Sequence, residues 1–305
     1  MILQIDNFIK YIKRVKNYSE HTLSAYATDL EALYDYLKEQ YSVESAQDIN
    51  HSMIRSWIFE LKKGKISNRS INRKISAVNS FFKYLLQEKL IDKNPLSKVS
   101  SLKCEKRLPQ YIVEREIDRI MRYETVASED DFISLRNKII MHVLYTTGMR
   151  RSELLNLKES DIDFDRKELR VLGKGKKERI IPVQQELLDL IDELRRKKAE
   201  LTVFKSESDK NKLDCYLICT EHGLQMNARA LYQIVHEKLG TAHSVERKSP
   251  HVLRHSFATH LLENGAEISA IKELLGHSGL GATQVYTHNN IKRLQEVYRK
   301  SHPKA

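Results

Sequence analysis

The sequence predicts a mostly α-helical chain with one small β-sheet, divided into two domains. Three observations predict it. Apolar residues recur at helical spacing through most of the chain. A single glycine-containing turn joins two short strand-like runs. Asn94-Pro95 ends a purely helical first third, because the residue before proline is pushed away from helix. A length of 305 residues fits two domains, each large enough to bury a core.

The first helix carries Phe8, Ile9, Ile12 and Val15 on one face. Ser19 is an N-cap for the second, where Leu23, Tyr26, Leu30, Leu33, Tyr34 and Leu37 repeat. A third holds Ile54, Trp57, Ile58 and Leu61 and ends near Gly64, and a fourth is striped by Ile71, Ile75, Val78, Phe82 and Leu85. Arg69, Arg73 and Lys74 cluster at its N-terminal end, where both their donors and the helix terminus favour a phosphate. These three are candidate DNA contacts. The helical domain is predicted over 1–98, a Ser- and Lys-rich linker over 99–109, and a mixed α/β domain over 110–305.

In the second half, Ile139, Ile140, Val143 and Leu144 stripe a helix that ends at Gly148, a natural residue just past a helix terminus. The runs 168–172 and 178–183 are strands, and Gly173-Lys174-Gly175-Lys176-Lys177 joins them as a hairpin. Helical patterns resume at Leu187–Leu194, Leu231–Leu239, Pro250–Asn264 and Ile268–Leu275. A last helix presents Ile291, Leu294, Val297 and Tyr298, a stripe that sequence alone packs on its own domain.

Composition narrows the partners. The net charge is +11, divided as 18 − 12 = +6 over residues 1–106 and 34 − 29 = +5 over 107–305. Both halves can therefore hold one polyanion, and nucleic acid leads over an anionic membrane surface. No apolar run approaches the length of a spanning helix, and the start lacks the basic and small-residue features of a signal peptide. Three cysteines give no disulfide framework and fit a reducing cytoplasm. Cys215 and Cys219 alternate with Leu213 and Leu217 as one face of a core strand, and no metal-ligand spacing is evident.

The chemistry gathers in three segments. Ser249 as N-cap and Pro250 at the first helical position start a helix whose first turn carries His251 and Arg254 on one face. His255 and His260 stay open between structural and functional roles. The junction Thr147-Gly148-Met149-Arg150-Arg151-Ser152-Glu153 supplies a second guanidinium, with Glu153 placed to hold Arg150. Leu274-Leu275-Gly276-His277 stands a short reach of chain before Tyr286. Guanidinium forks suit the nonbridging oxygens of a phosphodiester under attack, imidazoles move or hold protons, and a phenol can bond covalently to phosphorus. The set suits cutting and rejoining of DNA.

Those motifs, in this order, resemble the tyrosine recombinases of the lambda-integrase superfamily, and among them the short Xer group. The resemblance runs from Ser19-Glu20-His21-Thr22-Leu23 through Asn94-Pro95, the Arg150 junction, Gly173–Arg179, the His251 helix and the Tyr286 segment to His302-Pro303. It implies a helical, SAM-like core-binding domain and a mixed α/β catalytic domain clamped around double-stranded DNA. By it Tyr286 is the nucleophile, Arg150, His251, Arg254 and His277 are catalytic, Glu153 supports Arg150, and Lys174 is the general acid. Lys176 and Lys177 are DNA contacts of the hairpin. Strand exchange then proceeds through a 3′-phosphotyrosine and a Holliday junction, without metal or cofactor, in a tetramer of this chain or of this chain with a sister recombinase on two duplexes. In that assembly the last helix docks into a neighbour. A type IB topoisomerase shares the constellation but not the helical module. A metal-dependent nuclease has only Asp161-Ile162-Asp163-Phe164-Asp165, which a turn or strand edge explains. A non-enzymatic DNA-binding regulator is separated from these by the covalent adduct it would not form.

Overall fold

A computed structural model describes residues 1–104, 110–123, 131–173, 177–202, 216–276 and 288–303. The chain divides into two units, Met1–Arg107 and Leu108–Ala305.

The first unit is built from α1 (Ile2–Arg14), α2 (Glu20–Tyr41), α3 (His51–Lys63) and α4 (Asn68–Gln87). Each of the last three starts on a polar cap: Ser19, Asn50 and Ser67 accept the backbone N–H groups of Thr22, Met53 and Ser70. Phe8, Leu30, Leu33, Leu37, Ile54, Trp57, Phe81 and Phe82 fill the core. Val15, expected on the buried face of α1, is 61% exposed, because it caps the helix one turn beyond Ile12. The stretch after Pro95 is held against α4: Asn72 Nδ2 donates to the Leu102 carbonyl and Asn72 Oδ1 accepts from the Leu102 N–H, both at 2.8 Å. Val99 and Leu102 pack on the same core.

The second unit surrounds α6 (Phe132–Thr147), which is buried over most of its length. Around it lie α5 (Glu114–Tyr123), α7 (Arg151–Asn156), α8 (Gln185–Thr202), α9 (Ala228–Lys238) and α10 (Pro250–Glu263). Sequence patterning does not reveal α5, since only Ile117, Ile120 and Met121 mark its apolar side in a highly charged decapeptide. The antiparallel sheet runs in the order β1 (Ile162–Asp163), β2 (Glu168–Leu172), β3 (Glu178–Pro182). Leu169 pairs with Ile181 and Val171 with Arg179, so these four side chains share the buried face. The Gly173 N–H donates to the Lys177 carbonyl at 2.7 Å and closes the hairpin.

A satellite cluster joins α10 to α11 (Ile268–Leu275) and α12 (His288–Ser301) through Phe257, Leu261, Ala270, Leu274, Leu294 and Tyr298. The last helix thus packs on its own unit, as its stripe alone predicts, whereas the resemblance implies docking into a neighbour. The side chain of Ile291 lies outside the described residues. Of the expected strand 213–219, the described residues 216–219 make a single bridge, Cys219 with Gln225. Leu217, Ile218 and Cys219 are consecutively buried, which no alternating strand face would give. Cys215 lies outside the described residues.

Candidate active site

Helix α6 ends where Gly148 adopts φ +58°, and the chain turns directly into α7. A side chain at Gly148 would place its Cβ 2.4 Å from Phe257 Cδ1, so the turn admits glycine alone. The reversal sets Arg150 at the start of α7, where the Arg150 N–H donates to Glu153 Oε2 at 2.8 Å. The Arg150 side chain folds back on the same carboxylate, Nη1 to Oε1 at 2.7 Å, and reaches the Gly276 carbonyl through Nη2 at 3.2 Å. It remains 30% exposed, so its fork is both held and accessible.

Glu153 is buried and carries a second partner. Arg179 of β3 donates Nη1 to Oε1 at 3.1 Å and Nη2 to Oε2 at 2.7 Å, and its Nε reaches the Leu274 carbonyl at 2.8 Å. Burial alone pushes the Glu153 carboxyl up, but the hydrogen bonds and charge of Arg179, joined by the Arg150 hydrogen bonds, outweigh it and hold it below the usual carboxylate range. Sequence reasoning gave Arg179 no role. The signal was available, since period-two alternation puts it on the face of Ile181, and a buried guanidinium demands a carboxylate.

Arg254 is buried on α10 and clamped by backbone. Its Nη1 donates to the Gly148 carbonyl and its Nη2 to the Leu275 carbonyl, both at 2.7 Å. Burial, then the charge of Arg150, pull this guanidinium down to about 10, still well above neutral pH. His251 lies on the exposed side of the same first turn. Partial burial, then the charges of Arg254, Arg151 and Arg150, hold its imidazole below its ordinary 6.5. Three guanidiniums therefore act on one histidine, which marks a strongly positive pocket. Ser249 is the N-cap residue but makes no side-chain cap hydrogen bond, leaving Pro250 to start the helix.

The structure thus brings together Arg150, Glu153, His251 and Arg254 from separate segments of the chain. Lys177 closes the hairpin with an exposed side chain. Lys174, Lys176, His277 and Tyr286 lie outside the described residues. Their described neighbours are at the site: Gly173 approaches Glu153 and Arg179, and Gly276 accepts Arg150. His260 is structural, with Nδ1 at 2.9 Å from the Tyr145 hydroxyl in a buried contact. Arg73 and Lys74 of the first unit are both engaged by the buried Asp29, Lys74 Nζ at 2.8 Å, while Arg69 is exposed. The Asp161–Asp165 run is a turn and short strand, with Asp161 accepting from the Lys158 N–H and Asp163 from the Arg166 N–H. Among the described residues, no group of three or more His, Cys, Asp or Glu could hold a metal, and no helix is long and apolar enough to cross a membrane.

Comparison with known proteins bears on this geometry. Residues 110–293 match the phage integrase family, and residues 5–89 match the phage integrase N-terminal SAM-like domain. The tyrosine recombinase XerC of Halalkalibacterium halodurans is 35% identical over 99% of this chain and 97% of its own. That of Thermodesulfovibrio yellowstonii is 38% identical over 98% of this chain and 96% of its own. Among solved structures, XerH bound to difH in a post-cleavage complex superposes with a TM-score of 0.70 at 23% identity, over 96% of this chain and 83% of that one. A lambda integrase dimer bound to a COC′ core site gives 0.67 at 17% identity, over 93% and 98%. These two show the fold. The domain match and the full-length relatives establish that the chain belongs to the phage integrase family as a tyrosine recombinase, an enzyme that cleaves and rejoins DNA.

Proposed function

We propose that this recombinase works by two transesterifications in which Tyr286 attacks the scissile phosphate. The observation that carries this reading is the convergence of Arg150, Arg254 and His251 in one positive pocket, each guanidinium fixed by hydrogen bonds before substrate arrives. Pre-set donors aimed at developing charge need no reorganisation during the reaction. Arg150 and Arg254 meet the nonbridging oxygens, and His251 with His277 steadies the pentacoordinate phosphorus. As the Tyr286 oxygen bonds to phosphorus, the bond to the 5′-oxygen breaks, and Lys174 gives that oxygen its proton. A free phenol has a pKa of about 10, so proximity and the cationic pocket must favour its ionised form. A 5′-hydroxyl from the second duplex then attacks the phosphotyrosine, and the tyrosyl oxygen leaves.

Arg69 on the helical domain, with Lys176 and Lys177 on the hairpin, holds the DNA backbone, and of the two cations that Asp29 pins beside it the half-exposed Arg73 is better placed than the largely buried Lys74 to join them. The helical domain, which holds the chain through Leu102 on its own core, and the mixed α/β domain form the clamp, and four protomers on two duplexes, in the cytoplasm, complete the exchange. The XerC relatives favour a Xer-like role in resolving chromosome dimers over integration, excision or inversion of a mobile element. A type IB topoisomerase would reseal only the strand it cut, so joining of strands from different duplexes separates the two.

The test is a nicked suicide substrate. Wild type should accumulate a covalent adduct. Tyr286→Phe, which lacks only the nucleophilic oxygen, should bind the half-site nearly as well and form none. Adduct formation by Tyr286→Phe would place the nucleophile elsewhere.

A further inference from the structure

We infer that Arg179 is a positioning residue for cleavage: as the buried counter-ion of Glu153, it leaves Arg150 its charge for the phosphate. The inference deepens the proposed reading, since it rests on Arg150 being catalytic. Glu153 holds one negative charge and touches two guanidiniums, Arg150 at 2.7 Å and Arg179 at 2.7 Å. The two differ in surroundings. The Arg179 side chain is 3% exposed and spends all three nitrogens on Glu153 and the Leu274 carbonyl, whereas that of Arg150 is 30% exposed. Arg179 and Glu153 therefore make a neutral buried pair. Arg150 keeps a net positive charge while Glu153 still orients its fork. Without Arg179, the same carboxylate would be neutralised by Arg150 alone, and the guanidinium meant for the phosphate would be bound to an internal anion.

Arg179 also lies where the site's segments meet. Its Nε holds the Leu274 carbonyl near the end of α11, and Gly276 follows two residues on as the helix cap. Gly276 stands at φ +63°, and a Cβ there would come within 3.1 Å of Arg179 Cδ and Nη1. Gly173, where the hairpin turn begins, would place a Cβ 3.5 Å from Arg179 Nη1. One side chain thus touches the strand that leads into Lys174, the helix end that leads into His277, and the carboxylate that holds Arg150.

The test is a cycle of full-length variants, Arg179→Met, Glu153→Gln and the double variant, on the suicide substrate at saturating DNA. Thermal melts select a temperature at which all are folded, and half-site binding is measured beside the adduct rate. Arg179→Met should slow the adduct by about tenfold or more with binding little changed, which is the split expected when an interaction serves the transition state. Glu153→Gln/Arg179→Met should then be faster than Arg179→Met by about fivefold, within the coupling that contacting residues show, because a neutral amide at position 153 no longer claims Arg150. A folded Arg179→Met that cleaves at the wild-type rate overturns the proposal. So does a double variant no faster than Arg179→Met, since a purely structural arginine gives that result. If Arg179→Met does not fold, Arg179→Gln, which keeps a donor for the Leu274 carbonyl, replaces it in the cycle. If neither folds, Arg179 is structural and the inference fails. Arg150→Ala is the separate control: adduct at the wild-type rate from that variant sinks the catalytic reading itself, whatever Arg179 does.

Discussion

Gly148→Ala should destabilise the second unit by several kcal/mol and disable the site from behind. Two costs add at this position. A residue with a Cβ held at φ +58° pays left-handed strain of about 1–2 kcal/mol. The new methyl would sit 2.4 Å from Phe257 Cδ1 and 2.9 Å from Leu275 Cδ2, roughly an ångström inside ordinary contact. Overpacking of that kind costs about 1–3 kcal/mol. The expected total of about 2–5 kcal/mol is a large share of a typical domain stability of about 5–15 kcal/mol. The shift also moves the Gly148 carbonyl that accepts Arg254 Nη1 at 2.7 Å. Urea denaturation offers an internal control, because the chain's one tryptophan, Trp57, is buried in the first unit. The Trp57 fluorescence midpoint should hold, while far-UV circular dichroism shows the second unit melting earlier. Adding Phe257→Leu should relieve the steric share and leave the strain, so the double variant loses less than the sum of the singles. A loss under about 1 kcal/mol, the floor set by strain alone, would refute the argument.

Lys174→Ala should slow cleavage strongly, and a 5′-bridging phosphorothiolate, whose thiolate leaves without a proton, should rescue it but not Arg254→Ala; equal failure of both on that substrate removes Lys174 from the general-acid role. Asp29→Asn should cost the first unit about 2 kcal/mol by Trp57 fluorescence, a buried-pair loss discounted because Arg73 is half exposed; an unchanged midpoint would show that Asp29 holds neither cation. His251 should titrate below 6.5 in the free protein, as read by nuclear magnetic resonance. Between that lowered midpoint and the unfolded value near 6.5 the unfolded chain binds more protons, so this group's contribution to stability is lost as pH falls. A midpoint at or above 6.5 would contradict the guanidinium-rich pocket.

The helices of the first unit were legible because Leu30, Leu33 and Leu37 on one, and Ile71, Ile75, Val78 and Phe82 on another, repeat with helical period and Ser19 supplies a cap. The hairpin was legible from its glycines. The site was partly legible: Arg254 could be placed on a first turn, yet only three dimensions reveal that it is buried between two backbone carbonyls. Arg73 and Lys74 read as a free basic cluster because Asp29, their shared acceptor, stands more than forty residues away on another helix. Long-range pairing of that sort leaves no local pattern. The same holds for Ser256, whose hydroxyl accepts the Ile112 N–H at 2.8 Å from far along the chain.

The two guanidiniums of the pocket are exposed to mutation in different ways. Arg150 leans on a side chain as well as on the Gly276 carbonyl, so one base change at the Glu153 codon can remove the carboxylate that orients it. Arg254 leans on the carbonyls of residues 148 and 275, which every amino acid carries. No replacement there can delete an acceptor; it can only bend the path that presents it. Drift at 275 is thus limited by the packing of its buried side chain and not by the acceptor it lends, while the glycine at 148 is guarded twice, by its turn and by the Phe257 ring that leaves no room for a Cβ.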